Sequence, residues 1–263
     1  MTTAPRARAF AQVDPTPTWV IDRYARCARW RLFPKEFIFK RLQAFGIQKK
    51  HVLDFDCGEG VLSSQLALLG GHVTGVDVSP DLLEIAKRRA EVDGIRHRTE
   101  FLLRDIVEEP LPESAFDVIV CYAALRHADL RTAGRLFASL KPGGLAVIAE
   151  PISFSRLFQR LRDLLPLETH GSGGERQLSR EDIAFISGFL SDPTIVYFNL
   201  FGRLARFLPN RNRIDRGHPI TRTVLVSVLT LDRLLLRLFP FLSRVCSTAV
   251  IFGRKPLAPG KKT

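Results

Sequence analysis

The stretch Val52-Leu53-Asp54-Phe55-Asp56-Cys57-Gly58-Glu59-Gly60 restricts this chain's fold more than any other. It reads as a buried strand, a tight glycine turn and a helix beginning near Val61. Small residues in such a turn let the backbone approach a ligand, and the first turn of the helix offers N–H groups with no intrahelical partner. Strand, turn and helix in that order form the mouth of a nucleotide-type site. Asp77 closes the next strand, His72-Val73-Thr74-Gly75-Val76-Asp77, where a carboxylate can accept hydrogen bonds from both hydroxyls of a ribose.

A glycine turn alone is weak, because many turns need glycine only for its positive φ. The ordered series behind it is more specific. Strands at 51–56, 72–77, 99–104, 116–121 and 144–150 alternate with helices at 61–69, 80–92 and 130–140. Ser79-Pro80-Asp81 opens the second of these helices with a capping hydroxyl and a proline in the first turn. Alternation of this kind implies parallel strands with helices on both faces and a ligand at the carboxyl ends of the first, second and fourth strands.

With Phe101-Leu102-Leu103-Arg104-Asp105-Ile106, Phe116-Asp117-Val118-Ile119-Val120-Cys121 and Leu140-Lys141-Pro142-Gly143-Gly144-Leu145-Ala146-Val147-Ile148 in place, residues 50–151 resemble the class I S-adenosylmethionine-dependent methyltransferases. The resemblance implies an α/β, Rossmann-like, doubly wound sheet of seven strands, mostly parallel with an antiparallel edge strand, and S-adenosyl-L-methionine as cofactor. It further implies that the turn Asp56, Cys57, Gly58 and Gly60 holds the methionine end, that Asp77 holds the ribose and Asp105 with Ile106 the adenine, and that Asp54, Val78 and Cys121 are also among the cofactor-binding residues. Asp56 departs from the pattern, standing where the family has the first glycine of its turn. Its side chain either demands a different backbone or points a carboxylate toward the cofactor's positive charge.

At 263 residues and 46% apolar composition the chain can bury one sizeable core. The expected organisation is a loose arm at 1–16 and a single domain at 17–263, divided into cap helices (17–46), the cofactor core (50–151), a lid or substrate region (152–193) and last strands with a basic, apolar helix (194–263). Four cysteines without a C-x-x-C pair point to a reducing, cytoplasmic location and away from a metal framework, and Arg6 and Arg8 precede no apolar run of the signal-peptide kind. The net charge of +12 is localised: residues 203–263 hold thirteen Lys or Arg against Asp215 and Asp232, 13 − 2 = +11, which leaves 26 − 25 = +1 for residues 1–202.

Trp19 to Phe45 suits two short helices parted near Pro34, either capping the site or covering the sheet. Ile152 to Leu165 reads as an amphipathic helix, followed by a polar loop around His170 that suits a lid or a solvated linker. Val196–Gly202 and Thr248–Gly253 read as an antiparallel pair at the sheet edge. Between them, Thr221 to Phe239 sets Arg222, Thr230, Arg233 and Arg237 on one stripe, with leucines and valines on the rest. Such a helix suits a membrane interface, an apolar or lipid-linked substrate, a partner subunit or the sheet itself.

Methyl transfer from a sulfonium needs a positioned acceptor and, for a hydroxyl, a base. His127, in the segment leaving the fourth strand, is the first candidate; Glu150, at the end of the fifth strand before Pro151, and His170 are the others, with His218 a weaker fourth. Cys121-Tyr122-Ala123-Ala124 lacks the Asp/Asn-Pro-Pro-aromatic pattern of amino-group nucleic-acid methylases, and neither a Gly-x-Ser-x-Gly elbow nor a Walker turn occurs. The function expected is methyl transfer to a small apolar or amphiphilic acceptor, oxygen favoured. The alternatives are a cofactor-binding partner without catalysis and, more remotely, an RNA methyltransferase, since the C-terminal basic residues are interleaved with leucines where stacking aromatics would be needed.

Overall fold

A computed structural model describes Val13 and residues 34–125, 130–152, 177–200 and 219–257. Helix α1 (Pro34–Phe45) precedes β1 (His51–Phe55), α2 (Val61–Leu68), β2 (His72–Asp77), α3 (Pro80–Val92), β3 (Thr99–Leu103), β4 (Phe116–Tyr122), α4 (Leu130–Ser139) and β5 (Leu140–Pro151). Helix α5 (Arg180–Ser187), β6 (Ser191–Phe198), α6 (Pro219–Leu238) and β7 (Thr248–Arg254) complete the described elements. The strands form one seven-stranded sheet in the order β3-β2-β1-β4-β5-β7-β6. Strands β1 to β5 pair in parallel, and β7 runs antiparallel between β5 and β6; the antiparallel pair expected from sequence lies at that edge, with β6 at Ser191–Phe198 and not at the expected Val196–Gly202.

Nearly continuous apolar runs in the central strands follow from burial on both faces. Val52, Val118, Val120, Val147 and Val250 point to one face, under α1 and α2; Leu53, Ile119, Ile148 and Ile251 point to the other, under α4 and α5. Helix α1 covers the sheet: Phe37 stands 5.6 Å from Phe198 and 5.5 Å from Phe252, and the Arg41 guanidinium lies 4.6 Å over the Phe252 ring. The helix expected before Pro34 and the one expected over 152–165 fall outside the described residues.

Two departures from the sequence reading have local causes. Strand β5 begins at Leu140, directly after α4, because Lys141-Pro142-Gly143-Gly144 forms a bulge within the strand: Gly143 adopts φ +75°, the β4–β5 register shifts between Phe116 and Val118, and a Cβ on Gly144 would stand 2.7 Å from Leu140 Cδ1. Asp117 pins this end, accepting from the His51 amide at 2.9 Å and from Lys141 Nζ at 3.0 Å. Helix α5 was not expected within the lid region. Its signal stood in the sequence as a capping box, with Ser179 Oγ accepting from the Asp182 amide and Asp182 accepting from the Ser179 amide.

Candidate active site

Strand order reverses between β1 and β4, and there the carboxyl ends of β1, β2 and β4 open a crevice. Asp54, one residue from the end of β1, lies opposite Gly75 and Val120, so its side chain enters the sheet's interior with 2% exposure. Ser63 Oγ on α2 donates to its Oδ2 at 2.6 Å. Burial raises the Asp54 carboxyl to about 7; the Ser63 hydrogen bond and the charge of Lys35 oppose this, and the charge of Asp56 adds to it. Lys35, at the start of α1, extends its ammonium over the Tyr122 ring, 5.0 Å from the centroid. Burial holds that ammonium below its ordinary value, with Asp54 opposing. An acid and a base thus stand within electrostatic reach of each other, each disfavoured as an ion by its own burial.

The turn follows. Asp56, exposed at its rim, has φ +57°, the left-handed conformation that glycine adopts most cheaply and that Asp tolerates better than most residues. Of the two alternatives for Asp56, the backbone keeps the glycine form, and the residue lines the crevice. Gly58 has φ +53° with open space where a Cβ would be, which leaves room for a ligand against the main chain. Gly60 has φ +70°, and a Cβ there would meet Ala86 Cβ at 2.7 Å, so this glycine lets α2 and α3 approach.

Asp77 sits at the centre of the construction. The Gly58 amide donates to its Oδ2 and the Ser79 amide to its Oδ1, both at 2.8 Å, so the end of β2 is tied to the glycine turn on one side and to the start of α3 on the other. Ser79 Oγ in turn accepts from the Leu82 amide at 3.4 Å, the cap expected from sequence. Asp77 opens onto a cleft of about 250 Å³ whose walls include Phe55, Val76, Val78 and Ile106, with Asp105 and Thr132 among its polar groups. Asp105 Oδ1 accepts from the Val107 amide at 2.8 Å, which fixes the turn after β3. A larger hollow of about 590 Å³ between α3 and β3 is lined by charges that satisfy one another, Lys87 with Glu84 at 2.6 Å and Arg88 and Arg96 with Glu91 at 3.0 and 2.9 Å.

Of the residues named from sequence, Asp56, Asp77, Val78, Asp105 and Ile106 line one cleft, Gly58 is joined to it through Asp77, and Asp54 and Gly60 are buried beside the turn. The two cysteines are buried in the walls. Cys57 points under the turn, its Sγ 2.9 Å from the position of a Cβ on Gly75, and Cys121 is wholly buried between β1 and β5. Burial, with nearby carboxylates adding to it, pushes both thiols up and so disfavours their thiolates. Glu150 is 1% exposed, and its Oε1 accepts from the Ala124 and Leu125 amides at 2.8 and 2.9 Å. It thereby holds the segment leaving β4, where Ala123 takes φ +59°. His127, His170 and His218 lie outside the described residues. Lys35, Ser63 and Thr132 were missed from sequence: a lone Lys, Ser or Thr on a helix carries no spacing signal.

A glycine turn tied through a strand-end carboxylate at the switch point of this strand order forms a Rossmann-like, nucleotide-type site. Residues 52–144 match the family described as methyltransferase domain. The chain is 34% identical over 116 residues to the ubiquinone biosynthesis O-methyltransferase, mitochondrial, of Schizosaccharomyces pombe, a match covering 43% of this chain and 41% of that one. Over 149 residues it is 32% identical to the ubiquinone biosynthesis O-methyltransferase of Xylella fastidiosa, covering 51% and 57%. The chain spans about half the length of the curated relatives it matches. Among solved structures, the [4+2]-cyclase SpnF superposes with TM-score 0.55 at 20% identity, covering 85% of this chain and 82% of that one. The geranyl diphosphate C-methyltransferase of Streptomyces coelicolor A3(2) superposes with TM-score 0.56 at 16% identity, covering 84% and 76%. These two share the fold.

The residues present fit the family's cofactor. The open space over Gly58 admits a ligand against the main chain, the clamped Asp77 offers acceptors for a diol, and the apolar cleft beyond it suits a flat ring.

Proposed function

We propose that this chain is an S-adenosylmethionine-dependent methyltransferase that methylates an oxygen of a small, apolar or amphiphilic acceptor. The observation that carries the reading is the clamp of Asp77 between the Gly58 and Ser79 amides, which presents a fixed acceptor pair at the mouth of an apolar cleft. The similarity to two ubiquinone biosynthesis O-methyltransferases supports oxygen as the acceptor atom and a quinol-like, lipid-linked compound as its class. S-adenosylmethionine supplies the activated methyl group when bound. The chain's own work is to hold the acceptor in line, exclude water and take the hydroxyl proton. His127 is the proposed base, with His170 the second candidate, and Glu150 is a positioning residue that shapes the loop leading to His127. Titration calorimetry with S-adenosylmethionine and methyl-transfer assays on phenols with and without a prenyl chain test this. No cofactor binding by the folded protein overturns it, and binding without transfer to any acceptor favours the partner reading.

Helix α6 supports a peripheral place at a membrane. Among the described residues no helix is long and apolar enough to cross one. Yet the described C-terminal part of α6 turns leucines outward: Asp232 is 4% exposed and Arg233 lies 5.5 Å over the Phe198 ring, whereas Leu231, Leu234 and Leu238 are 49%, 51% and 60% exposed. Phe239 and Phe241 continue the apolar surface, with Arg237 and Arg244 exposed beside it. Apolar side chains flanked by arginines, in a C-terminal region of charge +11, suit the surface of an anionic bilayer. Flotation with anionic vesicles that persists in Leu234→Glu/Leu238→Glu would overturn this.

A further inference from the structure

Thr132 stands in the first turn of α4 with 1% of its surface exposed, and its Oγ1 has no hydrogen-bond partner. It is also part of the lining of the 250 Å³ cleft. A buried hydroxyl left without a partner disfavours the folded chain, and a valine would fill the same volume at no such cost. The position therefore needs another reason for its oxygen.

The polar groups around the cleft supply one. Asp77 and Asp105 are carboxylates, which only accept hydrogen bonds when ionised. The side-chain donor on this wall besides Thr132 is Arg104, whose guanidinium is engaged by the Pro110 carbonyl at 3.4 Å and by Glu109 at 3.6 Å. A purine in this cleft would present both an exocyclic amine, which a carboxylate can receive, and ring nitrogens, which need a donor. Resting on the cofactor reading above, we infer that the Thr132 hydroxyl donates to a ring nitrogen of the adenine and so selects for that base.

The test uses S-adenosylhomocysteine and its 1-deaza, 3-deaza and 7-deaza analogues, each with one ring nitrogen replaced by C–H, in calorimetric titrations of wild type, Thr132→Val and Thr132→Ser. Thr132→Val is expected to bind S-adenosylhomocysteine about 5- to 10-fold more weakly, the size of one hydrogen bond, with Thr132→Ser close to wild type. One deaza analogue is expected to bind wild type and Thr132→Val equally, since the nitrogen that the hydroxyl serves is missing. Without ligand, Thr132→Val is expected to melt at or above the wild-type temperature, which separates the effect from damage to the fold. Equal S-adenosylhomocysteine affinity in wild type and Thr132→Val, or an equal loss for all three analogues, overturns the assignment and leaves the cofactor reading standing. Failure of wild type to bind S-adenosylhomocysteine overturns both.

Discussion

Asp54 and Asp77 lie near the ends of neighbouring parallel strands, but only Asp77 is clasped by two backbone amides, while Asp54 has the Ser63 hydroxyl and the nearby charge of Lys35. An acid raised to about 7 in the fold holds its proton there at pH values where the unfolded chain has released it. Its contribution to stability is therefore expected to fall as pH rises from about 4 to about 7 and to be flat above. Asp54→Asn removes that penalty. In urea unfolding of the ligand-free protein it should be more stable than wild type at pH 8, by at most about 4 kcal/mol, with little difference at pH 4. Asp56 makes the opposite kind of test. Asp56→Gly relieves a left-handed φ and should raise stability by up to about 1 kcal/mol. If its carboxylate faces the sulfonium, the same change weakens S-adenosylmethionine more than the uncharged-sulfur product S-adenosylhomocysteine; equal effects on the two ligands would contradict that role.

Single strands and helices depend on close approaches that a pattern of apolar residues does not reveal. A Cβ on Gly75 would stand 2.7 Å from Phe101 Cδ1 and 2.9 Å from Cys57 Sγ, so β2 has glycine where β3 and the turn press against it. Gly75→Ala should cost about 1–3 kcal/mol in chemical unfolding, with a smaller loss if Phe101 is also shortened to Leu. At α5 the capping box makes the start of the helix cooperative, and Ser179→Ala should cost about 1 kcal/mol. Element boundaries were most legible where a cap or proline stood in the sequence, as at Ser79-Pro80, and least where a bulge joined two elements, as at Lys141-Pro142-Gly143-Gly144. The leucines of α6 are legible as a stripe but not as an outer face. Periodicity defines which residues share a side of a helix, and contact with Phe198 decides which side turns inward.

For the whole molecule, ligand and fold are linked through the turn that Asp77 ties to β2. S-adenosylhomocysteine at a hundredfold excess over its dissociation constant should add about 2.7 kcal/mol, a rise in melting temperature of about 5–10 °C for a chain of this size. Asp77→Asn, which cannot accept from both the Gly58 and Ser79 amides with its nitrogen in place of one oxygen, should abolish most of that rise. A full rise in this variant would show that the ligand sits elsewhere. The alternation of strands and helices and the switch point follow from local composition, because strand burial, turn conformation and capping are properties of neighbours in the chain. Lys35 over Tyr122, Thr132 in the cleft wall, Glu150 holding the Ala124 and Leu125 amides and the outward leucines of α6 were decided only in three dimensions. Each joins residues distant in sequence, and which distant groups meet depends on how the layers pack, a choice that no short window of the chain contains.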